Sequence, residues 1–206
     1  MALDLRALVD PAHTALVTQE CQKGVIGPNA ALPVLAEAAA ARMIPNAGRL
    51  AAAARAAGVP VVHCVAQRRP DGLGSNRNAR LFMGMLKTPV PLTPGTEAVE
   101  VIDEIGVAET DVVLHRLHGL GPMGGTDLDP VLRNLGITTI VGIGVSVNVG
   151  MLDFVMDGVN AGYQFVMPRD AVAGVPEAYA EAVLDNTVAL LATMPSTDEV
   201  IAAWGG

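Results

Sequence analysis

Glu20 is the residue whose type and position are best suited to acid–base chemistry. It follows directly on the apolar run Thr14–Gln19, which has the composition of a buried strand. A carboxyl group at the end of such a strand is solvated only by backbone amides and neighbouring loops. Its pKa is then raised, and it becomes a general acid or base near neutrality. An ordinary strand-end acid that begins a turn is the alternative, and Glu20 alone does not separate the two.

A cluster of polar side chains follows a second apolar run, residues 111–114. His115, Arg116 and His118 stand there at the start of a glycine-rich stretch, HGLGPMGGTD, whose backbone can approach a ligand closely. Two histidines and an arginine at the carboxyl end of a strand indicate a polar site. The cluster has no evident third ligand, so no metal site is predicted.

Neither of the two cysteines is an evident nucleophile. Side chains alternate along a strand, so Cys21 is predicted to point away from Glu20. Cys64 lies within the apolar run VVHCVA and is typical of a small buried hydrophobic residue. No basic residue is forced beside either thiol to lower its pKa.

The stretch GIGVSVNVGMLDFV passes from a strand to a helix through small residues. Free backbone N–H groups at the start of that helix, around Val149, Gly150 and Met151, can hold an oxyanion or a carboxylate. Close packing of helix against strand would select the same small residues. The spacing is not that of the G-x-G-x-x-G dinucleotide fingerprint, so a dinucleotide-dependent oxidoreductase is the least favoured function. No cofactor is predicted.

Short apolar runs alternate with helical patterns along the chain. The runs are rich in Val and Ile and apolar on both faces, as buried parallel strands are. We therefore predict an α/β fold, a three-layer Rossmann-like and mostly parallel sheet of about six strands with helices on both faces. The predicted strands are Thr14–Gln19, 59–65, 111–114, 138–143 and 164–167, with a short last strand near 194–197. The predicted helices are 32–42, 45–57, 127–135, 147–161, 177–191 and the segment STDEVIAAW.

In such sheets the ligand lies beyond the carboxyl ends of the strands, at the point where the strand order reverses. The segments that converge there are predicted to be 20–23, 67–80, 115–126 and 146–151. The polar, irregular segment 67–95 follows the second strand, and an insertion of that length is more often functional than accidental.

Composition excludes several classes of protein. Of the 206 residues, 51% are hydrophobic and 17% charged, which excludes intrinsic disorder. The formal net charge of −8, with Lys23 and Lys87 the only lysines, argues against nucleic-acid binding. No stretch of about 20 residues lacks charges or helix breakers, so no membrane span is predicted. The acidic start MALDLRALVD is unlike a signal peptide, and we predict a cytoplasmic protein with one domain over residues 1–206.

These segments together resemble the isochorismatase-like hydrolase superfamily, which includes isochorismatases, nicotinamidases and N-carbamoyl amidohydrolases. The resemblance spans nearly the whole chain. Its carriers are TALVTQECQ, HCVAQRRPDG, DVVLHRLHG and the block GTDLDPVLRNLGITTIVGIGVSVNVG with its continuation to PRDAVAG. The superfamily usually forms dimers or tetramers. The apolar helices 32–42 and 147–161 also exceed what one sheet face needs, so a homodimer or homotetramer is expected.

The cysteine-hydrolase branch of this superfamily uses an Asp at the end of the first strand, a Lys after the third and a Cys at the start of the helix after the fourth. This chain departs at all three places. Glu20 stands at the Asp position, and Gly150 stands at the Cys position. The Lys position falls within residues 115–118, where Arg116 is the only fixed cation. Without a thiol, a thioester mechanism has no nucleophile.

With glycine at position 150, the sequence resembles the isochorismatase branch, which cleaves a vinyl ether without covalent catalysis. The resemblance implies Glu20 as the acid that protonates the methylene carbon, with His118 or Arg116 as its electrostatic partner. It also implies a small, anionic substrate. The residues expected to contact that substrate are Gln67, His115, Val149 and, for its carboxylate, Arg77 or Arg80. A catalytically silent family member that binds a small ligand, or serves as a subunit of an assembly, is the alternative.

Overall fold

A six-stranded parallel sheet forms the centre of the molecule in a computed structural model that describes residues 4–205. The strands are β1 Thr14–Gln19, β2 Val61–Ala66, β3 Val112–Arg116, β4 Thr139–Val145, β5 Gln164–Val166 and β6 Val172–Ala173. Their order in the sheet is β3-β2-β1-β4-β5, with β6 paired to the end of β4. All five pairings between these strands are parallel, which confirms the predicted α/β fold.

Helices cover both faces of the sheet because each strand is apolar on both sides. In β1, for example, Leu16 packs into one core layer and Val17 into the other. The helices are α1 Leu5–Leu8, α2 Lys23–Ile26, α3 Pro33–Ala40, α4 Met43–Ala56, α5 Arg80–Met85, α6 Leu128–Asn134, α7 Leu152–Asn160, α8 Glu177–Asn186 and α9 Thr197–Ala203. Helices α3, α4 and α9 pack on the first face, and α6, α7 and α8 on the second. None of these helices is long and apolar enough to cross a membrane.

The predicted last strand near 194–197 is wrong. A single bridge between Val166 and Thr193 stands in its place, and the sixth strand is β6. Pro195 has no N–H to donate to a ladder, which ends the pairing there. The chain then enters α9 through a capping box in which the Ser196 hydroxyl accepts from the Glu199 N–H.

The predicted helix 147–161 has two parts. Its first turn, Val147–Met151, is a π-helical turn, and α7 begins only at Leu152. The predicted helix 177–191 is likewise divided, because α8 ends at Asn186 and a 3₁₀ turn spans Val188–Leu190.

Close contact between β1 and β4 fixes the ends of these two central strands. Gly144 pairs with Gln19 and has a φ of +124°. A Cβ at Gly144 would lie 2.2 Å from the Gln19 carbonyl oxygen, so only glycine allows this approach. The strand order reverses at this pair of strands, and Glu20 follows one of them while the π-helical turn follows the other.

Candidate active site

A cavity of about 360 Å³ lies at the carboxyl ends of the central strands. Residues from four different strand ends line it, as expected at the point where the strand order of an open parallel sheet reverses. These residues are Glu20 after β1, Gln67 after β2, Arg116 at the end of β3 and Gly150 after β4. The remainder of the wall is mainly aliphatic, from α3, α5 and the loops that follow β2 and β3.

Glu20 and Arg116 form an ion pair at the base of this cavity. The Arg116 Nη2 donates to Glu20 Oε1, and the two side chains are 6% and 23% exposed, respectively. Burial raises the pKa of the Glu20 carboxyl, while the adjacent Arg116 charge opposes that rise. The carboxyl therefore carries its proton at a higher pH than an exposed glutamate does.

The backbone of Glu20 is held in an unusual conformation. Its φ is +53°, and among the described residues it is the only non-glycine residue with a positive φ. The Glu20 N–H donates to the Cys64 carbonyl at 2.9 Å, so the β1–β2 ladder extends to this residue. Residues in this region of φ cluster at sites where the surrounding structure fixes a side-chain direction.

The loop after β3 fixes the Arg116 guanidinium. Nε donates to the Gly121 carbonyl at 3.1 Å and Nη2 to the Leu120 carbonyl at 2.9 Å. Arg116 is therefore the cation beside Glu20. His118 lines the cavity but is exposed to solvent. His115, which lies within β3 and not after it, is exposed and does not line the cavity.

Gly150 lines the cavity at a point where a side chain would be crowded by its neighbours. A Cβ there would lie 2.9 Å from Nε2 of Gln19, 3.2 Å from the Leu120 carbonyl oxygen and 3.3 Å from that of Val145. Gln19 is fully buried, and its Nε2 donates to the Leu120 carbonyl at 3.2 Å. The Gln19 amide thus occupies the space that a longer residue at position 150 would need.

The expectation of free N–H groups around position 150 is wrong for its two neighbours. The N–H groups of Val149 and Met151 both donate to the Ser146 carbonyl, at 3.1 and 3.0 Å. The π-helical turn causes this, because it wraps the chain back onto the residue that precedes it. Val149 itself lines the cavity.

The segment that follows β2 contributes Gln67 to the cavity wall but neither of the two predicted arginines. Gln67 lines the cavity, and its N–H donates to the Arg116 carbonyl at 2.9 Å. Arg77 and Arg80 are both exposed and lie outside the cavity wall. Arg68 lines the wall instead, and its Nη1 donates to the Met85 carbonyl at 2.6 Å.

Several wall residues escaped the sequence reasoning. The adjacent arginines in the sequence AQRRP are a signal that could have identified Arg68. No pattern indicated the apolar side chains of α5, because six residues are too few to show a helical period. Asn76, Ser146 and Asn148 line the cavity as well, and they lie within the segments 67–80 and 146–151 that the sequence predicts to converge there.

Both thiols lie in the core. Cys21 and Cys64 are 1% and 4% exposed, and neither lines the cavity. Burial raises the pKa of the Cys64 thiol to about 12, and burial with the nearby Glu20 charge raises that of Cys21 as well. A thiol in this state is not a nucleophile at neutral pH. Across residues 4–205, no three His, Cys, Asp or Glu side chains are grouped so that they could hold a metal ion.

Comparison with known proteins gives a consistent result. Residues 14–199 match the family model described as Isochorismatase domain. The uncharacterized isochorismatase family protein YecD of Escherichia coli is 27% identical over 198 residues, which cover 92% of this chain and 95% of that protein. Ureidoacrylate amidohydrolase RutB of Pseudomonas syringae is 28% identical over 204 residues, covering 92% and 82%.

A solved structure extends the similarity to the whole fold. The crystal structure of a cysteine hydrolase from Pseudomonas syringae pv. phaseolicola superposes with a TM-score of 0.85 and is 27% identical. The alignment covers 100% of this chain and 99% of that one.

Proposed function

This chain belongs to the isochorismatase family, and we propose that it is a hydrolase that works without a cysteine nucleophile, with Glu20 as its general acid and base. The observation that carries the proposal is the buried Glu20–Arg116 pair in the cavity, together with a glycine at position 150, which supplies no thiol. A family member such as RutB is named an amidohydrolase. This chain has no accessible thiol with which to attack an amide by a covalent route.

Vinyl-ether hydrolysis is the favoured reaction. The Glu20 carboxyl gives its proton to the terminal methylene carbon, forming a C–H bond and leaving an oxocarbenium ion. Water adds to the oxygen-bearing, cationic carbon of that ion, and its extra proton returns to the Glu20 carboxylate. The resulting hemiketal loses its hydroxyl proton as the C–O bond to the alcohol breaks and the alkoxide takes up a proton. One water is consumed, and a ketone and an alcohol are released.

Arg116 supports this cycle through its charge. When Glu20 has given up its proton, the carboxylate that remains is buried, which is costly without a partner. The Arg116 guanidinium already donates to that oxygen and is held in place by two loop carbonyls. Gln67 supplies a further polar contact at the same end of the cavity.

A catalytically silent family member is the second candidate. It is favoured by the three triad positions of the cysteine-hydrolase branch, because Glu20 replaces the Asp, residues 115–118 contain no Lys, and Gly150 replaces the Cys. In that case the Glu20–Arg116 pair would serve only to close the base of a binding cavity.

Turnover of vinyl ethers in D₂O tests the proposal. Purified protein is incubated with isochorismate and, separately, with neutral 2-butoxypropene, and the ketone product is followed by NMR. We expect one solvent deuterium in the product methyl group, because the acid delivers its proton to carbon. Glu20→Gln should lower the rate at least about 100-fold, whereas Glu109→Gln, on the exposed surface, should leave it unchanged. Absence of turnover with both compounds would contradict the proposal and favour the silent alternative, and equal rates for Glu20→Gln and wild type would remove Glu20 from the mechanism.

A further inference from the structure

Much of the cavity wall is apolar and incompletely covered. We call the residues Leu35, Leu81, Phe82, Met85, Leu86 and Leu92, all of which line the cavity, the apolar wall. Leu35 and Leu92 are buried from behind by the core. Helix α5, with the sequence RLFMGM, has no fully buried residue although most of its side chains are large and apolar. Its inner side chains therefore pack against an open cavity and gain contacts only when a ligand fills it.

The charged groups of the cavity are already engaged with protein atoms. The Arg116 guanidinium donates to Glu20 and to two loop carbonyls. Arg68 donates to the Met85 carbonyl. A carboxylate entering the cavity would compete with these contacts for the two guanidinium groups and would lie near the Glu20 carboxylate whenever that group is ionised. Burying an anion that neighbours a second carboxylate and shares its cationic partner is unfavourable.

From these two observations we infer that the cavity takes an electrically neutral substrate whose bulk is an apolar substituent seated on the apolar wall. This inference rests on the proposed function for its reactive end, which meets Glu20. It replaces the expectation of an anionic substrate, which depended on Arg77 or Arg80 and thus on residues outside the wall. The volume of about 360 Å³ holds roughly a dozen water-sized groups. A ketone or vinyl ether with about six to eight carbons is the matching size.

Calorimetric titration with two probes of equal chain length tests the inference, using 2-octanone as the neutral probe and octanoate as the anion. We expect 2-octanone to bind at least about tenfold more tightly than octanoate. Shortening it to 2-pentanone should weaken binding about fourfold for each methylene removed, since each loses its apolar burial. Equal or tighter binding of octanoate, or no binding of 2-octanone up to its solubility limit, would overturn the inference.

A matched pair of variants on α5 locates the bound probe. Phe82→Ser removes a partly buried ring of the apolar wall and should weaken 2-octanone binding about tenfold. Met83→Ser removes an apolar side chain that is 44% exposed on the same helix and does not line the cavity, so it should leave the affinity unchanged. Bound 2-octanone should also slow hydrogen exchange of the α5 amides. Equal effects of the two substitutions, or unaltered exchange in α5, would place the probe elsewhere and count against the inference.

These measurements involve no turnover, so they separate the substrate class from the chemistry. Binding of 2-octanone by a protein that hydrolyses neither vinyl ether would overturn the proposed function and support the neutral, apolar ligand. Hydrolysis of isochorismate together with failure to bind 2-octanone would support the proposed function and overturn the neutral, apolar ligand.

Discussion

Glu20 joins three properties that an ordinary strand-end acid does not combine. It is mostly buried, it faces a single arginine, and its backbone adopts a positive φ. Burial and the arginine act on its proton in opposite directions, and burial dominates. The balance between these two effects decides the pH range over which Glu20 can act as an acid.

The pH–rate profile of vinyl-ether hydrolysis should report that balance. Glu20 acts as an acid only while it is protonated, so kcat/KM should be highest at low pH and fall as pH rises through the raised pKa of Glu20. Arg116→Gln removes the charge that lowers this pKa, and the fall should therefore move to higher pH. Arg49→Gln removes an exposed arginine that pairs with Asp198 and should leave the profile unchanged. A profile that moves to lower pH in Arg116→Gln would contradict the assignment of the proton to Glu20.

Gln19 and Gly150 should be energetically coupled. A methyl group at position 150 would lie 2.9 Å from the Gln19 amide nitrogen, so Gly150→Ala should destabilise the fold by about 1–3 kcal/mol through overpacking. Removing the amide with Gln19→Ala makes room for that methyl group. In a double-mutant cycle measured by urea unfolding, the double variant should therefore be more stable than the sum of the single changes predicts.

Gly84→Ala is the matched control for this cycle. It lies within α5, and a Cβ there meets nothing within 4 Å. It should stabilise the protein slightly, because alanine favours a helix over glycine by roughly 0.5–1 kcal/mol. Additive effects at positions 19 and 150 would show that the Gln19 amide does not limit the residue at position 150.

At the scale of secondary-structure elements, a buried network of polar side chains links β1, β2 and the residue that precedes β3. The Thr18 hydroxyl lies 3.0 Å from His63 Nδ1, and His63 Nε2 lies 3.1 Å from Asp111 Oδ2. Arg55 from α4 donates to the same carboxylate. The order of hydroxyl, imidazole and carboxylate is that of a nucleophile triad. His63 and Thr18 are 0% and 1% exposed, however, so this polar network has a structural role.

This buried polar network should make the free energy of unfolding depend on pH. Burial lowers the pKa of His63, partly offset by the Asp111 carboxylate, so the folded protein holds the ring neutral while the unfolded chain protonates it near pH 6.5. The contribution of His63 to the free energy of unfolding is fully present above pH 6.5. It is lost as pH falls below that value, at about 1.4 kcal/mol per pH unit. Urea unfolding between pH 8 and pH 5 measures this slope.

Two comparisons identify His63 as the source of the slope. His63→Gln should flatten it, whereas His115→Gln, on an exposed residue, should leave it as in the wild type. The ring signals of His63 in NMR spectra of the wild type give an independent reading that needs no variant. A ring that becomes protonated near pH 6.5 in the folded protein would contradict the prediction.

The sequence predicts strands better than it predicts the cavity wall, for a physical reason. An apolar run such as Thr14–Gln19 is buried on both faces whatever surrounds it, and it predicts β1 at its observed bounds. Glu20, Gln67, Arg116 and Gly150 meet because each follows a strand or ends one. Segment 67–95 has no periodic hydrophobic pattern in its sequence. Its course depends on tertiary contacts such as the one from Arg68 to the Met85 carbonyl. The directions of Arg77 and Arg80 were therefore beyond sequence reasoning.

At the scale of the whole molecule, large apolar side chains remain exposed after both faces of the sheet are covered. Met156 and Val159 lie three residues apart on one face of α7 and are 41% and 36% exposed. Exposed apolar side chains that adjoin one another are typical of surfaces that bind other proteins. Helix α7 falls within the segment 147–161 that the sequence marks as too apolar for a single sheet face.

We predict that α7 contributes to a homo-oligomer interface. Light scattering coupled to size exclusion should give two or four times the mass of one chain for the wild type. Met156→Glu combined with Val159→Glu should lower that mass, because burying two carboxylates in an apolar contact costs several kcal/mol, on the order of the stability of the contact itself. Leu73→Glu places a charge at an apolar residue that is 64% exposed in the segment after β2, and it should leave the mass unchanged. A wild-type mass of one chain would contradict the homo-oligomer, and an unchanged mass in the α7 variant would exclude α7 from its interface.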